Sequence, residues 1–262
     1  MPARRVAGLR VVVTGGSSGI GRHLALQLAT AGARVLATAR RGNRLAELIE
    51  ALPASASGSI DTLTGDLTDS EHREAIVRWS QQHWGAVDVL INNAGGGAIG
   101  AFATADPKRL RRMMEINFFA PVELTRSLMP MLRCGRRPAI LVVGSVLALR
   151  GVPRKSEYCA AKFAMRGWAE SVRVELARER IEVLQVHPST TRSEFFEALT
   201  DTAAGEVSKS VGSMEPSVVA AAAVRALVRS RREMILSPGG QLLVWASKRF
   251  PAAVDRILGR FG

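Results

Sequence analysis

The sequence predicts an α/β protein in which a mainly parallel, seven-stranded sheet is doubly wound, with helices on both faces and three layers in all. Three observations lead to this prediction. Short runs rich in Val, Ile and Leu alternate along the chain with longer segments of helical periodicity. Each run is bounded by Gly, Pro or polar residues, which is typical of a buried parallel strand. A glycine-rich turn directly follows the first run and opens the first helical segment.

Taken in chain order, the predicted strands and helices alternate. The strands are predicted at residues 9–14, 34–38, 87–92, 139–144 and 182–187. The helices are predicted at residues 19–31, 43–52, 69–84, 107–133, 156–180 and 216–230. This alternation is the pattern of βαβ units in a doubly wound sheet.

Residues 1–262 are predicted to form one domain, because this length and a 47% hydrophobic content suffice for one full core but not for two. Residues 189–214 mix polar and apolar side chains, including Phe195 and Phe196, and are predicted to form a substrate lid. Residues 238–262 are predicted to form a helical tail with apolar residues among basic ones. Packing of this tail on the body or on a second subunit is favoured, and a weak contact with a membrane surface is the alternative.

The chain is strongly basic, with 36 Lys and Arg residues against 23 acidic ones and a net charge of +13. This balance favours anionic partners. The basic residues occur as scattered pairs without long runs or interleaved aromatic residues, so phosphorylated cofactors and substrates fit better than nucleic acid.

The two cysteines, Cys134 and Cys159, provide neither a disulfide framework nor a paired metal-ligand motif, so no metal site is predicted. Gly15 and Gly16 interrupt the apolar N-terminal stretch long before a signal peptide or membrane span is complete. A cytoplasmic protein is therefore the default prediction.

A cluster of glycines occupies residues 14–21, which read Thr-Gly-Gly-Ser-Ser-Gly-Ile-Gly between the first strand and the first helix. Without a Cβ atom, glycine lets the backbone turn tightly and approach a pyrophosphate, whose charge meets the N–H groups at the helix N-terminus. The turn therefore predicts a Rossmann-type dinucleotide site. Its predicted contacts are Gly15, Ser17, Ser18, Gly19, Ile20 and Gly21.

The glycine spacing, G-x-x-x-G-x-G, resembles that of the short-chain dehydrogenase/reductase family. The resemblance covers roughly residues 9–193. Asn92-Asn93-Ala94-Gly95 is similar to the family's turn after the fourth strand, and Asp66-Leu67 is similar to its adenine-contacting pair after the third. The resemblance implies that the cofactor contacts include Asp66, Leu67, Asn93, Ala94 and Gly95.

The end of the second predicted strand indicates which dinucleotide is bound. NAD sites carry an acid there for the ribose 2′-hydroxyl, whereas NADP sites need positive charge for the 2′-phosphate. This chain has Ala39 followed by Arg40 and Arg41, so NADP(H) is predicted. The run also resembles NADP-preferring family members, although Ser18 stands where many of them place a second basic residue. The alternative is a loop with two solvated arginines.

Three residues form a candidate catalytic group. Tyr158 is the only tyrosine, and Lys162 follows it by one helical turn, on the same face. Ser145 ends a predicted buried strand, where parallel sheets present ligand-binding groups. Carbonyl reduction needs a proton for the developing alkoxide, and a phenol with a pKa of about 10 exchanges protons slowly near neutrality unless a cation such as Lys162 favours the phenolate.

The family resemblance implies a role for each of these residues and adds a fourth. Tyr158 would be the proton donor or acceptor, Ser145 would polarise the substrate oxygen, Lys162 would hold the nicotinamide ribose, and Asn117 would order a water relay to Lys162. The alternative is a purely structural role, with Tyr158 on an amphipathic helix and Ser145 as a strand cap.

The chain departs from the family pattern after the sixth strand. The family has Pro-Gly, an apolar residue and a threonine there, whereas residues 188–193 read Pro-Ser-Thr-Thr-Arg-Ser. The carboxamide contacts are therefore expected to come from Pro188, Thr191 and Ser193. His187 is interpreted as a strand-end residue.

The predicted function is transfer of a hydride between NADP(H) and the carbonyl or alcohol group of a small hydrophobic substrate. Two alternatives stay open: a 3-oxoacyl-thioester reductase, whose acidic carrier protein or coenzyme A a basic surface would attract, and a non-catalytic NADPH-binding sensor or scaffold. The resemblance also implies a homodimer or homotetramer.

Overall fold

The computed structural model describes residues 3–191 and 213–261. Within these ranges seven strands form one sheet, in which every pairing is parallel. The strands are β1 Arg10–Thr14, β2 Arg34–Ala39, β3 Ser59–Thr64, β4 Val89–Asn92, β5 Ala139–Val143, β6 Glu182–His187 and β7 Glu233–Ile235. Their order is β3-β2-β1-β4-β5-β6-β7, which confirms the predicted doubly wound α/β fold.

Two of the seven strands carry no apolar run and were not located from the sequence. β3 reads SIDTLT and lies at one edge of the sheet, and Ile60 is its one buried residue. β7 is three residues long and lies at the opposite edge. Edge strands are less covered than central ones, so they do not need the continuous hydrophobic sequence that marks the others.

Nine α-helices lie within the described ranges. Their bounds are α1 Gly19–Thr30, α2 Gly42–Glu50, α3 Ser70–Trp84, α4 Lys108–Met114, α5 Ala120–Arg133, α6 Ser156–Leu176, α7 Pro216–Val228, α8 Pro238–Arg249 and α9 Pro251–Leu258. The predicted helix over residues 107–133 is interrupted by a π turn at Glu115–Phe119. The last predicted turn before residue 180 is a 3₁₀ turn, because Arg180 takes a left-handed conformation that ends the helix.

The core consists of two apolar layers, one on each face of the sheet. Val11 and Val13 face the layer that contains residues of α1 and α7, while Val12 faces the layer that contains residues of α3, α5 and α6. Successive side chains of a strand point to opposite faces, so one central strand contributes to both layers. The three-layer arrangement predicted from the sequence follows from this packing.

The predicted tail consists of α8 and α9, which pack on the body of the protein through the buried side chains of Val244 and Val254. A Cβ atom on Gly240 would lie 2.7 Å from Cγ2 of Val146, so α8 contacts the segment that follows β5 closely. Most of the predicted lid, together with Phe195 and Phe196, lies outside the described residues. In the described ranges no helix combines the length and apolar character needed to cross a bilayer.

Candidate active site

The candidate site lies at the end of the sheet where the carboxyl ends of the interior strands β1, β4, β5 and β6 lie side by side. The strand order reverses between β1 and β4, and open parallel sheets bind ligands at such a switch point. The glycine-rich turn follows β1, the Asn93 turn follows β4, and Ser145 and Pro188 follow β5 and β6. The topology therefore brings the predicted cofactor and catalytic segments to one place.

The glycine-rich turn is locked against the turn that follows β4. The hydroxyl oxygen of Thr14 accepts hydrogen bonds from the backbone N–H groups of Asn93 and Ala94, both at 3.0 Å, and the Asn93 amide donates to the Thr14 carbonyl at 2.9 Å. Gly15 has a φ of 72°, and a Cβ on Gly21 would lie 2.1 Å from the Gly15 carbonyl oxygen. Only glycine fits at these two positions, so the turn packs directly against the start of α1 and against the turn that follows β4.

Helix α1 begins at Gly19, and the Ser18 side chain makes no capping hydrogen bond to it. The Ser18 hydroxyl instead accepts a hydrogen bond from the Arg41 guanidinium at 2.7 Å, and Ser17 accepts a second one at 3.3 Å. The first N–H groups of α1 are therefore not capped by Ser18, and the positive end of the helix dipole adjoins a guanidinium. This combination favours a phosphate group.

Arg40, at the end of β2, projects into solvent with 72% of its side chain exposed, and its guanidinium lies 3.8 Å from a carboxylate oxygen of Asp66. The other Asp66 oxygen accepts hydrogen bonds from the backbone and hydroxyl of Thr68. Leu67 is buried beside them. The predicted pair Asp66-Leu67 and the two arginines thus border the same side of the glycine-rich turn.

The structure brings three of the four predicted catalytic residues into one group. The Tyr158 hydroxyl is hydrogen-bonded to Ser145, and the Ser145 oxygen also accepts from the backbone N–H of Leu147 at 3.1 Å. The ammonium of Lys162 lies 5.6 Å from the centre of the Tyr158 ring. A hydroxyl pair and a cation are therefore positioned together at the end of β5.

Asn117, the fourth predicted residue, lies in the π turn and is buried. Its amide nitrogen donates to the carbonyls of Gly96 and Met113, both at 3.0 Å, whereas its Oδ1 atom is buried without a hydrogen-bond partner. A Cβ on Gly95 would lie 2.7 Å from this oxygen and 3.5 Å from the Lys162 ammonium. The unsatisfied acceptor and the ammonium therefore border the same point, which glycine keeps open.

Burial dominates the protonation of both titratable groups. It raises the pKa of Tyr158, although the Ser145 hydrogen bond lowers it, so the net direction is opposite to the one that a nearby cation alone would give. Burial also lowers the pKa of Lys162 to about 8. At neutral pH these side chains are therefore a protonated phenol and a mainly charged ammonium.

Two supporting interactions were not anticipated from the sequence. His187, interpreted as a strand-end residue, is buried and bridges the Ser145 backbone carbonyl, at 3.1 Å, and the Glu233 carboxylate, at 2.9 Å. Glu157, adjacent to Tyr158, forms a buried ion pair with Arg109 at 2.7 Å. Their partners are 46 and 48 residues away in the sequence, so no local pattern could have indicated these pairs.

The segment after β6 is described only as far as Thr191. The Pro188 carbonyl accepts a hydrogen bond from the backbone N–H of Val146, next to Ser145, at 3.0 Å. The Thr191 hydroxyl donates to the Ser189 carbonyl at 3.2 Å. Pro188 thus borders the group around Ser145, while Ser193 lies outside the described residues.

Comparisons with known proteins agree with this geometry. A family model described as short chain dehydrogenase matches residues 10–204. The chain is 35% identical over 183 residues to dehydrogenase/reductase SDR family member 7B of Bos taurus, covering 68% of this chain and 56% of that protein. It is 29% identical over 263 residues to the ketoacyl reductase HetN of Nostoc sp., covering 98% of this chain and 90% of that protein. The chain thus spans little more than half the length of the bovine relative.

Solved structures share the fold. A short chain dehydrogenase/reductase from Burkholderia phymatum, in complex with NAD, superposes with a TM-score of 0.84 at 20% identity, covering 94% of this chain and 95% of that one. A short chain dehydrogenase from Burkholderia cenocepacia, in complex with NADP, superposes with a TM-score of 0.81 at 24% identity, covering 97% and 99%. Both nicotinamide dinucleotides thus occur among proteins of this fold.

Proposed function

The chain belongs to the short-chain dehydrogenase family, and from this premise we propose that it is an NADP(H)-dependent oxidoreductase acting on the carbonyl or alcohol group of a small, hydrophobic molecule. The observation that carries the proposal is the grouping of Ser145, Tyr158 and Lys162 beside the glycine-rich turn. Asn117 completes the catalytic set. A structural role alone would not require a hydroxyl pair, a buried ammonium and an unsatisfied amide oxygen together at the carboxyl end of the sheet.

The residues present fit a nicotinamide dinucleotide. The N-terminus of α1, which the Ser18 side chain does not cap and which lies beside the Arg41 guanidinium, suits a pyrophosphate. The buried Oδ1 atom of Asn117 offers an acceptor beside Lys162. When bound, the cofactor supplies or accepts the hydride. The residues proposed to hold it are Gly15, Ser17, Ser18, Gly19, Ile20, Gly21, Arg40, Arg41, Asp66, Leu67, Asn93, Ala94, Gly95, Tyr158, Lys162, Pro188, Thr191 and Ser193.

Side chains of this protein supply the proton that the substrate oxygen receives in the reduction. The Ser145 and Tyr158 hydroxyls donate hydrogen bonds to the substrate oxygen, and the phenol transfers its proton as that oxygen gains negative charge. The Lys162 ammonium stabilises the resulting phenolate. Asn117 Oδ1 accepts a hydrogen bond from a water that also contacts Lys162, which connects the site to solvent for reprotonation. In the oxidation direction the phenolate accepts the alcohol proton.

The preference for NADP(H) rests on this chain's own charges. Ala39 ends β2 where NAD sites place an acid, and Arg40 and Arg41 follow it. A charge-assisted hydrogen bond contributes about 1.5–3 kcal/mol, which is roughly tenfold or more in affinity. Asp66 lies 3.8 Å from Arg40 and competes with a phosphate for its guanidinium.

Titration of NADPH and NADH at fixed salt, followed by cofactor fluorescence, tests the cofactor assignment. The wild type should bind NADPH at least about tenfold more tightly than NADH, and Arg40→Ala should remove most of that difference. Arg78→Ala, which removes an exposed arginine from α3, serves as the matched control. Equal affinity of the wild type for both cofactors would overturn the NADP assignment.

Turnover distinguishes the remaining candidates. Oxidation of NADPH with a panel of carbonyl compounds should occur in the wild type and fall at least about a thousandfold in Tyr158→Phe, which keeps the ring but loses the proton. A 3-oxoacyl-thioester reductase is the second candidate, favoured by the net charge of +13 and the similarity to a ketoacyl reductase. This activity requires that turnover be faster with thioesters than with matched ketones, and that the rate with thioesters depend on salt. Tight NADPH binding without any turnover would support the sensor or scaffold instead.

The family resemblance also supports a homodimer or homotetramer, and the interrupted N-terminal stretch favours a cytoplasmic location. Both belong to the proposal, together with a small-molecule partner and no role for nucleic acid.

A further inference from the structure

The outer surface formed by α8 and α9 combines exposed aromatic and aliphatic side chains. Leu242, Trp245, Phe250 and Ile257 are each more than half exposed, with fractions of 63%, 59%, 54% and 55%. The rings of Trp245 and Phe250 contact each other edge to face, with their centres 6.0 Å apart. We call this surface the α8–α9 face. Such a concentration of exposed large apolar residues marks an interaction site.

The charges on the α8–α9 face are mainly positive. Lys248, Arg249, Arg256 and Arg260 are all exposed, and Asp255 is the only acidic residue in the segment 238–261. Asp255 is paired with Arg150. The apolar side chains are therefore accompanied by four cations and by one carboxylate that is already neutralised.

The rigid attachment of the two helices determines which side faces outward. Val244 and Val254 are buried, Gly240 contacts Val146, and the pair between Arg150 and Asp255 joins α9 to the loop after β5. The exposed side chains therefore cannot turn inward without breaking these contacts, and the apolar face remains presented to a partner.

We propose that the α8–α9 face docks on an anionic lipid membrane. Helices that lie in the interface insert Trp, Phe and Leu to the depth of the acyl boundary while Lys and Arg contact the headgroup phosphates. A second copy of the chain fits less well, because a two-fold contact of this face with itself would bring four cations against four. The proposal is independent of the reaction that the active site performs.

Flotation of the full chain with lipid vesicles tests the proposal. Binding should be strong on vesicles containing phosphatidylglycerol, weak on phosphatidylcholine alone, and reduced by salt. Leu242→Ser with Trp245→Ser, and separately Lys248→Glu with Arg249→Glu, should each lower partitioning about tenfold or more, since one cation near an anionic surface contributes roughly fivefold. Val218→Ser, at an exposed apolar site on α7, and Arg178→Glu, just after α6, should leave partitioning unchanged.

A second measurement keeps the result interpretable if a variant folds poorly. Brominated lipids should quench tryptophan fluorescence in the wild type, and conservative Trp245→Phe should remove that quenching while binding persists. Binding that is equal in all variants, or absent in the wild type, would overturn the proposal. Loss of an oligomer in the Leu242→Ser, Trp245→Ser variant without any vesicle binding would assign the face to a second copy instead.

Discussion

The buried ammonium of Lys162 lowers the stability of the fold because folding removes it from water. Its pKa falls from 10.5 to about 8, which corresponds to roughly 3 kcal/mol at neutral pH. Between pH 8 and 10.5 the unfolded chain binds more protons than the folded one. Stability therefore rises with pH across that interval, and the full cost is present below pH 8.

We expect Lys162→Met to separate this cost from function. The variant should be more stable than the wild type by about 1–3 kcal/mol at pH 7, because an apolar side chain of similar length replaces a desolvated charge. The advantage should shrink toward pH 10.5, while turnover is lost because the phenolate of Tyr158 has no cation. Urea unfolding at pH 7 and pH 10 measures the difference in stability between the variant and the wild type at each pH, and NADPH oxidation measures the loss of turnover. A variant that is less stable at pH 7 would show that Lys162 is stabilised by contacts that outweigh its desolvation.

The same residues show how far sequence reasoning extends at this scale. The spacing of Tyr158 and Lys162 by one helical turn predicted their shared face, and the structure places them together with Ser145. The direction of the Tyr158 pKa was not predictable, because it depends on how completely other segments of the chain cover the ring. The unsatisfied Oδ1 atom of Asn117 was not predictable either, because its surroundings depend on the π turn.

At the scale of elements, the β7 edge is held by one carboxylate. Glu233 accepts from His187 on β6, at 2.9 Å, and from Arg166 on α6, at 3.0 Å. The hydrogen bond from His187, followed by that from Arg166, holds the pKa of Glu233 at about 2. This folded value is below the ordinary 4.5, so the stabilisation is complete above pH 4.5 and is lost as the pH falls from 4.5 to 2.

Glu233→Gln should therefore lower the stability at pH 7 by about 1 kcal/mol, a value reduced by solvent screening because a third of the side chain is exposed. This corresponds to a decrease of roughly 2–4 °C in Tm. The difference from the wild type should decrease between pH 4.5 and pH 2. Thermal unfolding over this pH range measures the difference in stability. The control is Glu170→Gln, which removes another partner of Arg166. An undiminished difference at low pH would mean that the carboxylate charge is not responsible.

Elements with strong local signals were predicted well, and those that depend on their neighbours were not. The five central strands have continuous apolar runs because both of their faces are covered. β3 and β7 lie at the edges and lack such runs, so their sequences resemble loops. The interruption of the long helix at Glu115–Phe119 has a local signal in Pro121, which cannot donate the backbone hydrogen bond of a continuous α-helix and whose ring opposes the carbonyl four residues earlier. The single predicted helix over residues 107–133 did not take this proline into account.

At the scale of the whole molecule, the sequence indicated the place of the site because the topology of a doubly wound sheet fixes it. Segments that follow β1, β4, β5 and β6 must meet at the carboxyl end of the sheet, whatever their individual sequences. The supporting pairs of Arg109 with Glu157 and of His187 with Glu233 join elements far apart in the chain. Such pairs depend on the relative placement of whole helices and strands, which local periodicity does not encode.

We expect the outer surface of α6 to form the subunit contact of the proposed homo-oligomer. Phe163 and Val174 are 44% and 76% exposed, and their spacing of eleven residues places them on one side of the helix, three turns apart. This surface is separate from the α8–α9 face and carries no comparable excess of cations beside its apolar residues. A second copy is therefore a better partner for α6 than a membrane is.

We expect Phe163→Lys together with Val174→Lys to convert the oligomer to smaller species, because burying two ammonium groups in a self-contact costs several kcal/mol. Size-exclusion chromatography with light scattering measures the mass. Val218→Lys, at a half-exposed apolar site on α7, should leave the mass unchanged, as should the Leu242→Ser, Trp245→Ser variant. A monomeric wild type at micromolar concentration, or an unchanged mass in the α6 variant, would remove α6 as the subunit contact. Because α6 also carries Tyr158 and Lys162, dissociation at α6 should lower turnover, whereas loss of membrane binding at α8 should not.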